Sequence, residues 1–258
     1  MLNNFFNPKS IAVIGASKTP GKVGHDILKN IIQYGYDGAV YPINPAADEI
    51  LDRKAYPSLQ DVPDKIDLAV VVIPSKNVLD VIGQCGAKGI DSAIVITAGF
   101  RESGIEGSKL ETELINKARE AGVRFIGPNC LGMIDTHSKI NASFAAGMPA
   151  KGNIGFFSQS GALCLAILDR ALPDEIGFSK FISMGNKADI SDITAADGKT
   201  GIFTHLRGEV IKIAGIGQGI VGNHTVSRVL LQPVMNEIGP DKTGRTGYQQ
   251  SFAHTLSP

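Results

Sequence analysis

Short apolar runs that each end at a turn signal recur along the first half of this 258-residue chain, and they constrain its fold more than any other feature. Their length and their closing glycine, proline or asparagine residues are typical of buried strands. The predicted strands are Ser10–Ile14, Ala39–Ile43, Leu68–Ile73, Ser92–Ile96 and Arg124–Ile126. Helical spacing between them predicts helices over Val23–Tyr34, Asn77–Lys88 and Leu110–Ala121, with Gly122 as the last cap. Alternation of such strands and helices predicts an α/β, doubly wound parallel sheet.

A second unit is predicted to begin near residue 149. A connection rich in glycine, proline and lysine at 147–152 precedes a new strand, Ile154–Phe157, and a helix, Ala162–Arg170. The predicted domains are therefore 1–148 and 149–258.

Composition excludes several classes of protein. The 25 basic and 25 acidic residues give zero net charge, so no overall field favours nucleic acid or an anionic membrane. Three widely spaced cysteines make a disulfide framework or a zinc site improbable, and no metal site is predicted. The N-terminus does not resemble a leader, and no apolar run approaches about 20 residues. These observations predict a soluble, cytoplasmic protein.

Ligands of doubly wound sheets bind beyond the carboxyl ends of the strands, and the loops there are small, polar or rich in proline. The loop from Gly15 to Gly24 lies where a phosphate would meet a helix N-terminus. It matches neither the glycine pattern of dinucleotide-binding folds nor the P-loop, because Lys22 is followed by Val23. The second strand ends in Asn44-Pro45 rather than in the acidic residue that binds a ribose, which weakens a nicotinamide interpretation. A bare strand-to-helix turn remains the alternative.

The segment Ser158–Gly161 offers two hydroxyls and several backbone amides at the start of a predicted helix. Two interpretations stay open for it: an anion pocket, or simple helix capping by Ser158 or Ser160. The glycine spacing does not fit a nucleophile elbow.

Six motifs in series resemble one family, the nucleoside-diphosphate-forming acyl-CoA synthetases, close to the succinyl-CoA synthetase α subunit and to the α subunit of ADP-forming acetate–CoA ligases. They are IAVIGAS at 11–17, YPINP at 41–45, AGFRE at 98–102, GPNCLG at 127–132, SQSG at 158–161 and SMGNKAD at 183–189. The resemblance covers roughly residues 1–193. It implies a CoA-binding Rossmann-type domain followed by a flavodoxin-like domain, here predicted to be incomplete. The implied reaction is acyl-CoA + ADP + phosphate ⇌ acid + ATP + CoA, through an acyl phosphate and a phosphohistidine.

The resemblance also implies which residues bind CoA. The first loop would hold the adenine nucleotide end, and the proline- and glycine-rich loops after later strands would line the pantetheine groove with backbone hydrogen bonds. The implied CoA-binding residues are Gly15, Ser17, Lys18, Gly21, Lys22, Gly24, Asn44, Pro45, Ile73, Pro74, Ala98, Gly99 and Asn129. Asn129 would also lie beside the thioester as a catalytic residue, whereas the adjacent Cys130 is interpreted as a packing residue.

The phosphoryl group is implied to bind at Ser158, Ser160 and Gly161. The family's phosphorylated histidine has one candidate here, His254, in a weakly matching context, and Glu209 is the candidate for its acidic partner. After about residue 193 the sequence becomes rich in glycine and loses regular apolar periodicity. The segment from Lys199 holds six basic and three acidic residues, and hence a charge of 6 − 3 = +3. A lysine that usually follows Asn-Pro is replaced by Ala46.

The resulting prediction is the α-type part of an ADP-forming acyl-CoA synthetase. Its predicted partners are a small carboxylic acid or acyl-CoA and an ATP-grasp β subunit that would bind Mg²⁺ and ADP or ATP. Two alternatives remain: a CoA-binding module without catalysis, and an NAD-dependent oxidoreductase.

Overall fold

A computed structural model describes residues 3–190 and, by their backbone, residues 210–214. The first part is built around a five-stranded parallel sheet whose strands follow the order β2-β1-β5-β6-β7. Its elements are α1 (Asn3–Phe6), β1 (Ser10–Ile14), α2 (Val23–Gln33), β2 (Ala39–Ile43), the short β3 (Glu49–Ile50) and β4 (Arg53–Lys54), β5 (Leu68–Val71), α3 (Val78–Lys88), β6 (Ser92–Val95), α4 (Ile105–Ala121) and β7 (Arg124–Ile126). The predicted α/β fold class is therefore confirmed.

Period-two alternation divides the side chains of this sheet between two apolar layers. Ala12 and Ile14 of β1 pack in the layer that contains residues of α3 and α4, such as Ile82 and Leu114. Ile11, one position earlier, packs in the opposite layer with residues of α2. Because both faces are covered, each of the inner strands reads as a continuous apolar run, which is the signal that predicted it.

The second sheet also has five strands, in the order β12-β10-β11-β8-β9. Its elements are β8 (Gly132–Asp135), β9 (Ile140–Ser143), β10 (Lys151–Ser158), α5 (Gly161–Ala171), β11 (Phe178–Ser183) and β12 (Val210–Ala214). Strands β10, β11 and β12 are parallel, and β8 pairs antiparallel with both β11 and β9. This mixed sheet agrees with the predicted flavodoxin-like second unit.

The hairpin of β8 and β9 was not predicted from the sequence. It precedes the proposed domain boundary at 148/149 but pairs with the second sheet, and that boundary stays a prediction. Asn30 in α2 ties the hairpin to the first part of the chain, because its side-chain amide donates to the carbonyls of Ser143 (2.8 Å) and Ala145 (2.9 Å). Asn30 is buried, and so these bonds satisfy an amide that water does not reach.

The outer face of the second sheet packs against α5 through aromatic side chains. Phe156 and Phe181 are stacked with ring centroids 4.7 Å apart, and Phe178 meets Phe181 edge-on at 5.2 Å. Cys164 and Leu168 of α5 lie in the same apolar cluster. The inner face shares a cluster with the first sheet, which includes Phe157 and Ile182, so both sheets contribute to one apolar layer.

All three cysteines, Cys85, Cys130 and Cys164, are buried and free. Burial raises the pKa of each thiol to about 12. We expect none of them to react with a thiol reagent such as dithionitrobenzoate in the folded protein at pH 8, because only the thiolate is nucleophilic. In urea, three equivalents should react. Rapid reaction of one equivalent without denaturant would contradict this assignment.

None of the helices in the described part has the length and apolar character needed to span a bilayer.

Candidate functional site

Two cavities open at the carboxyl edge of the first sheet, where the strand order reverses. The chain leaves β1 for β2 on one side and returns to β5 on the other, and such a switch point is where doubly wound folds bind ligands. The first cavity, of about 680 Å³, lies at the ends of β1 and β2, and we call it the loop cavity. The second, of about 600 Å³, lies between the ends of β5 to β7 and the start of α5, and we call it the bridging cavity. Ile73 lines both cavities.

Five of the predicted CoA-binding residues line the loop cavity: Gly15, Ser17, Asn44, Pro45 and Ile73. Lys18, Gly21, Lys22 and Gly24 belong to the same loop but do not line either cavity. Lys18 and Lys22 are exposed, on the solvent side of the loop.

Close backbone approach explains two of the loop glycines. Gly15 has φ +89°, and a Cβ there would lie 2.1 Å from the carbonyl oxygen of Val72. Gly24, at the start of α2, packs against Gly15 so closely that a Cβ would lie 2.0 Å from its carbonyl oxygen. The loop can therefore enter α2 directly over the sheet edge, which only glycine permits at these positions.

Asn44 is engaged within the protein. Its side-chain amide donates to the carbonyl of Ala16 (2.7 Å), and its Oδ1 accepts from the amide of Ala46 (2.8 Å). Asn44 thus links the loops after β1 and β2, and its contribution to the loop cavity is to hold their shape.

Lys76 lines the loop cavity and was not singled out from the sequence. It lies in a 3₁₀ turn, Ser75–Asn77, directly after the predicted Ile73-Pro74 segment, and its side chain is exposed. Lys76 therefore supplies a cation at the loop cavity.

The bridging cavity brings together the later CoA-binding candidates and the candidate phosphate loop. Ile73, Pro74, Ala98 and Asn129 line one side of it. Gln159, Gly161 and Ala162, at the start of α5, line the other. The remaining lining residues are Val23, Val72, Ile96, Thr97, Cys130, Leu131 and Phe144. The wall is thus mostly apolar, with a few polar groups at the two ends.

The hydroxyls of the candidate phosphate loop already take part in helix capping. Ser160 is the N-cap of α5, and its Oγ accepts from the amide of Leu163 (3.2 Å). Ser158 is 2% exposed, and its Oγ accepts from the amide of Ser160 (3.1 Å). Neither serine lines the bridging cavity, whereas Gly161 does, and a Cβ at Gly161 would meet nothing within 4 Å. The capping interpretation is therefore observed, and open space adjoins the helix N-terminus.

The turn after β6 is held by a carboxylate. Oε1 of Glu102 accepts from the amides of Gly99 (2.6 Å) and Phe100 (3.1 Å), so these amides are engaged within the protein, and Gly99 lines neither cavity. Burial by itself raises the pKa of Glu102. Hydrogen bonds from Asn186 and from the amides of Phe100 and Gly99 outweigh that effect and hold the pKa below its usual value.

The segment Gly185–Asp189 docks across the loop after β7. The amide of Asn186 donates to the carbonyl of Pro128 (2.9 Å), and the amide of Ala188 donates to the carbonyl of Gly127 (3.0 Å). A Cβ at Gly185 would lie 2.2 Å from the Pro128 oxygen, so the two loops meet backbone to backbone. The pair of motifs at 127–132 and 183–189 is thereby one structural unit.

Cys130 lies beside Asn129 in the bridging cavity, but it is 5% exposed and its Sγ donates to the carbonyl of Val95 (3.3 Å). With its pKa raised to about 12 by burial, the thiol is neutral near pH 7, in agreement with its interpretation as a packing residue. His254 and Glu209 lie outside the described residues. Glu209 directly precedes β12, which pairs with β10 so that Ala214 stands beside Ser158.

Comparison with known families defines the class of protein first. A model described as a CoA binding domain matches residues 9–136, and a model described as a succinyl-CoA ligase like flavodoxin domain matches residues 151–197. The fold is thus that of a CoA-binding domain joined to a ligase-type flavodoxin domain.

Individual relatives make the assignment narrower. The chain is 47% identical over 190 residues to the α subunit of ADP-forming acetate–CoA ligase II of Pyrococcus furiosus, across 74% of this chain and 41% of the relative. It is 39% identical to ADP-forming acetate–CoA ligase II of Archaeoglobus fulgidus, across 99% of this chain and 38% of the relative. An ADP-bound structure of a dinucleotide-forming acetyl-CoA synthetase from Candidatus Korarchaeum cryptofilum superposes with a TM-score of 0.77 at 43% identity, over 85% of this chain and 47% of that one.

The chain therefore belongs to the family of the ADP-forming acyl-CoA synthetases, as a homologue of their α subunits and α-type domains. It spans less than half the length of these relatives.

Proposed function

We propose that this chain is the CoA-binding, α-type part of an ADP-forming acyl-CoA synthetase, an acid–thiol ligase. The reaction is acyl-CoA + ADP + phosphate ⇌ carboxylic acid + ATP + CoA. In the first step, phosphate displaces CoA from the thioester and gives an acyl phosphate. A histidine then accepts the phosphoryl group as the acid leaves, and ADP takes it from that histidine.

The bridging cavity carries this proposal, because it joins the two sites that the first step requires. Asn129 and the loops at Ile73-Pro74 and Ala98 lie on one side, and the N-terminus of α5 lies on the other. An apolar cavity of about 600 Å³ suits the pantetheine arm, whereas free amides at a helix N-terminus suit phosphate. Thioester and phosphate could therefore meet in one cavity.

Ser158, Ser160 and Gly161 would hold the phosphoryl group. Each serine Oγ accepts a hydrogen bond from a backbone amide. The O–H of Ser160 remains able to donate, whereas Ser158 is buried and hydrogen-bonds to Cys164. Open space at Gly161 allows an anion to approach the first amides of α5. Charge developing on the transferred group would be stabilised there by preoriented dipoles.

The loop cavity would hold the adenine nucleotide end of CoA. Ser17 and Lys76 both line this cavity, so a phosphate there would meet a hydroxyl and a cation, whereas the amide of Gly15 already donates to the carbonyl of Ile43 (3.0 Å). Lys18 and Lys22 stand outside the cavity, where they could attract an anion from solution.

Further parts of the reaction belong to a partner. Two of the relatives are named as α subunits, and the proposed partner is an ATP-grasp subunit or domain that binds ADP or ATP with Mg²⁺. We propose His254 as the phosphorylated residue, with Glu209 as its acidic neighbour and the cytoplasm as the compartment.

Calorimetric titration of the full chain with CoA, 3′-dephospho-CoA and NAD tests the proposal. CoA should bind best, and Lys76→Met should weaken CoA by about tenfold if the lysine pairs with a phosphate. Lys29→Met, at an exposed position of α2 outside both cavities, is the matched control. Tighter binding of NAD than of CoA would favour the oxidoreductase alternative. A chain that binds CoA but forms no acid-labile phosphate with ATP, Mg²⁺ and the partner would be a CoA-binding module.

A further inference from the structure

Asn186 is the centre of a hydrogen-bond network in which each donor and acceptor is fixed. It is 7% exposed, and its side-chain Nδ2 donates to Oε2 of Glu102 and to Oε2 of Glu111, each at 2.6 Å. Both of its amide hydrogens are thereby taken by carboxylates, which can only accept when ionised. Its Oδ1 is left as the acceptor, and Nδ2 of Asn129 donates to it at 3.3 Å.

Arg101 holds the same network from the outside. Its guanidinium donates to the backbone carbonyl of Asn186 and forms an ion pair with Oε1 of Glu111 at 3.5 Å. Glu102 in turn holds the turn after β6 through the amides of Gly99 and Phe100. Three loops, which follow β6, β7 and β11, are joined in this way behind the bridging cavity.

Of the network's side chains, Asn129 lines the bridging cavity, whereas Glu102, Glu111 and Asn186 do not. A carboxamide can turn by about 180° about its last bond, which exchanges its donor and acceptor ends at little cost in shape. The contact with Asn186 removes that freedom from Asn129, because only the Nδ2 end finds an acceptor there.

We propose that Glu102 and Asn186 are positioning residues for the reacting end of CoA: they fix the carboxamide of Asn129 in one orientation toward the thioester. This inference rests on the proposed function, since it requires CoA in the bridging cavity. It assigns a role to two residues that do not touch the ligand. The orientation of Asn129 should affect the acyl end of the ligand and leave the adenine end unchanged.

The double variant Glu102→Gln, Glu111→Gln tests this role, because Asn186 donates to both carboxylates. At position 102 the glutamine oxygen can still accept from the amides of Gly99 and Phe100, and both glutamine NH₂ groups then face Nδ2 of Asn186. Asn186 relieves these opposed donors by turning round, so that its own NH₂ faces Asn129 and turns that carboxamide as well. Glutamine has the shape of glutamate, and at position 111 its oxygen can still accept from Arg101, so the fold is preserved.

The readout compares acetyl-CoA with S-ethyl-CoA, which lacks the thioester carbonyl oxygen. The unmodified chain should bind acetyl-CoA about fivefold more tightly, as one net hydrogen bond provides. The double variant should reduce this ratio to about one while S-ethyl-CoA affinity stays within about twofold. The same change at an exposed glutamate in the first turn of α4, Glu106→Gln, is the matched control and should leave both affinities unchanged.

A rescue variant distinguishes a positioning role from a general loss of structure at the site. In the triple variant Glu102→Gln, Glu111→Gln, Asn186→Asp, donor and acceptor are exchanged in both bonds from position 186 to the glutamates, and Asn129 again faces an acceptor. The ratio should recover. An unchanged ratio in the double variant, equal weakening of both ligands, or no preference for acetyl-CoA in the unmodified chain would overturn the inference. If the unmodified chain binds neither ligand, the proposed function fails and this inference falls with it.

Discussion

Replacing Asp135 by asparagine is expected to lower the free energy of unfolding by about 3–5 kcal/mol, because a buried lysine is left without its counter-charge. Asp135 and Lys180 stand directly opposite each other in the antiparallel pair of β8 and β11. Their side chains are 1% and 7% exposed, and Oδ2 of Asp135 lies 3.2 Å from Nζ of Lys180. The measurement is urea denaturation of the variant and the unmodified chain at pH 7.

A double variant shows whether charge or shape causes the loss. Asparagine at 135 keeps the oxygen that accepts from the amides of His137 and Ser138. Adding Lys180→Met removes the orphaned ammonium and leaves an apolar side chain near the ring of Phe6, over which Nζ now lies at 5.6 Å. We expect the double variant to regain at least half of the lost stability. A double variant as unstable as the single one would show that the aspartate acts through its hydrogen bonds instead.

The sequence predicts the first sheet well because its signals are local. β1, β2 and β7 have the predicted bounds, since each apolar run ends directly at a glycine, proline or asparagine. By contrast, α4 begins at Ile105, five residues before the predicted Leu110. The one large apolar residue of its first turn, Ile105, is exposed, so apolar periodicity does not mark this turn.

The hairpin of β8 and β9 escaped prediction because its buried residues are partly polar. Asp135, Asn141 and Ser143 read as loop residues in the sequence, yet each is at most 1% exposed. Their burial is stabilised by partners far along the chain, such as Lys180 for Asp135 and Asn30 for the carbonyl of Ser143. No local pattern contains that information.

For the candidate site, too, the sequence predicted the local features but not the long-range contacts. Motif resemblance indicated the loops that line the two cavities, but it could not show which of their polar groups are already engaged. Asn44 bonds to Ala16 across 28 positions, and Glu102 bonds to Asn186 across 84. These pairings depend on the tertiary fold, and so the contacts of Glu102 and Asn186 and the position of Lys76 became visible only in the structure.

Replacing Gly15 by alanine is expected to abolish most CoA binding and to destabilise the first sheet. A Cβ at this position would lie 2.1 Å from the Val72 oxygen and 2.9 Å from Cγ2 of Ile73, at φ +89°. β1 and β5 are hydrogen-bonded neighbours, so relief requires the loop to move away from the sheet edge and into the loop cavity. We expect CoA affinity to fall by at least about 30-fold and the free energy of unfolding to fall by about 2–4 kcal/mol.

Gly21→Ala in the same loop distinguishes close approach from backbone conformation. Gly21 also has a positive φ, +79°, but a Cβ there would meet nothing within 4 Å. The control variant therefore carries the conformational cost of about 1–2 kcal/mol without a collision. Calorimetry should show CoA binding within about threefold of the unmodified chain for Gly21→Ala. Equal losses of affinity in the two variants would contradict a role for the Gly15 contact with Val72 and would attribute the effect to loop conformation alone.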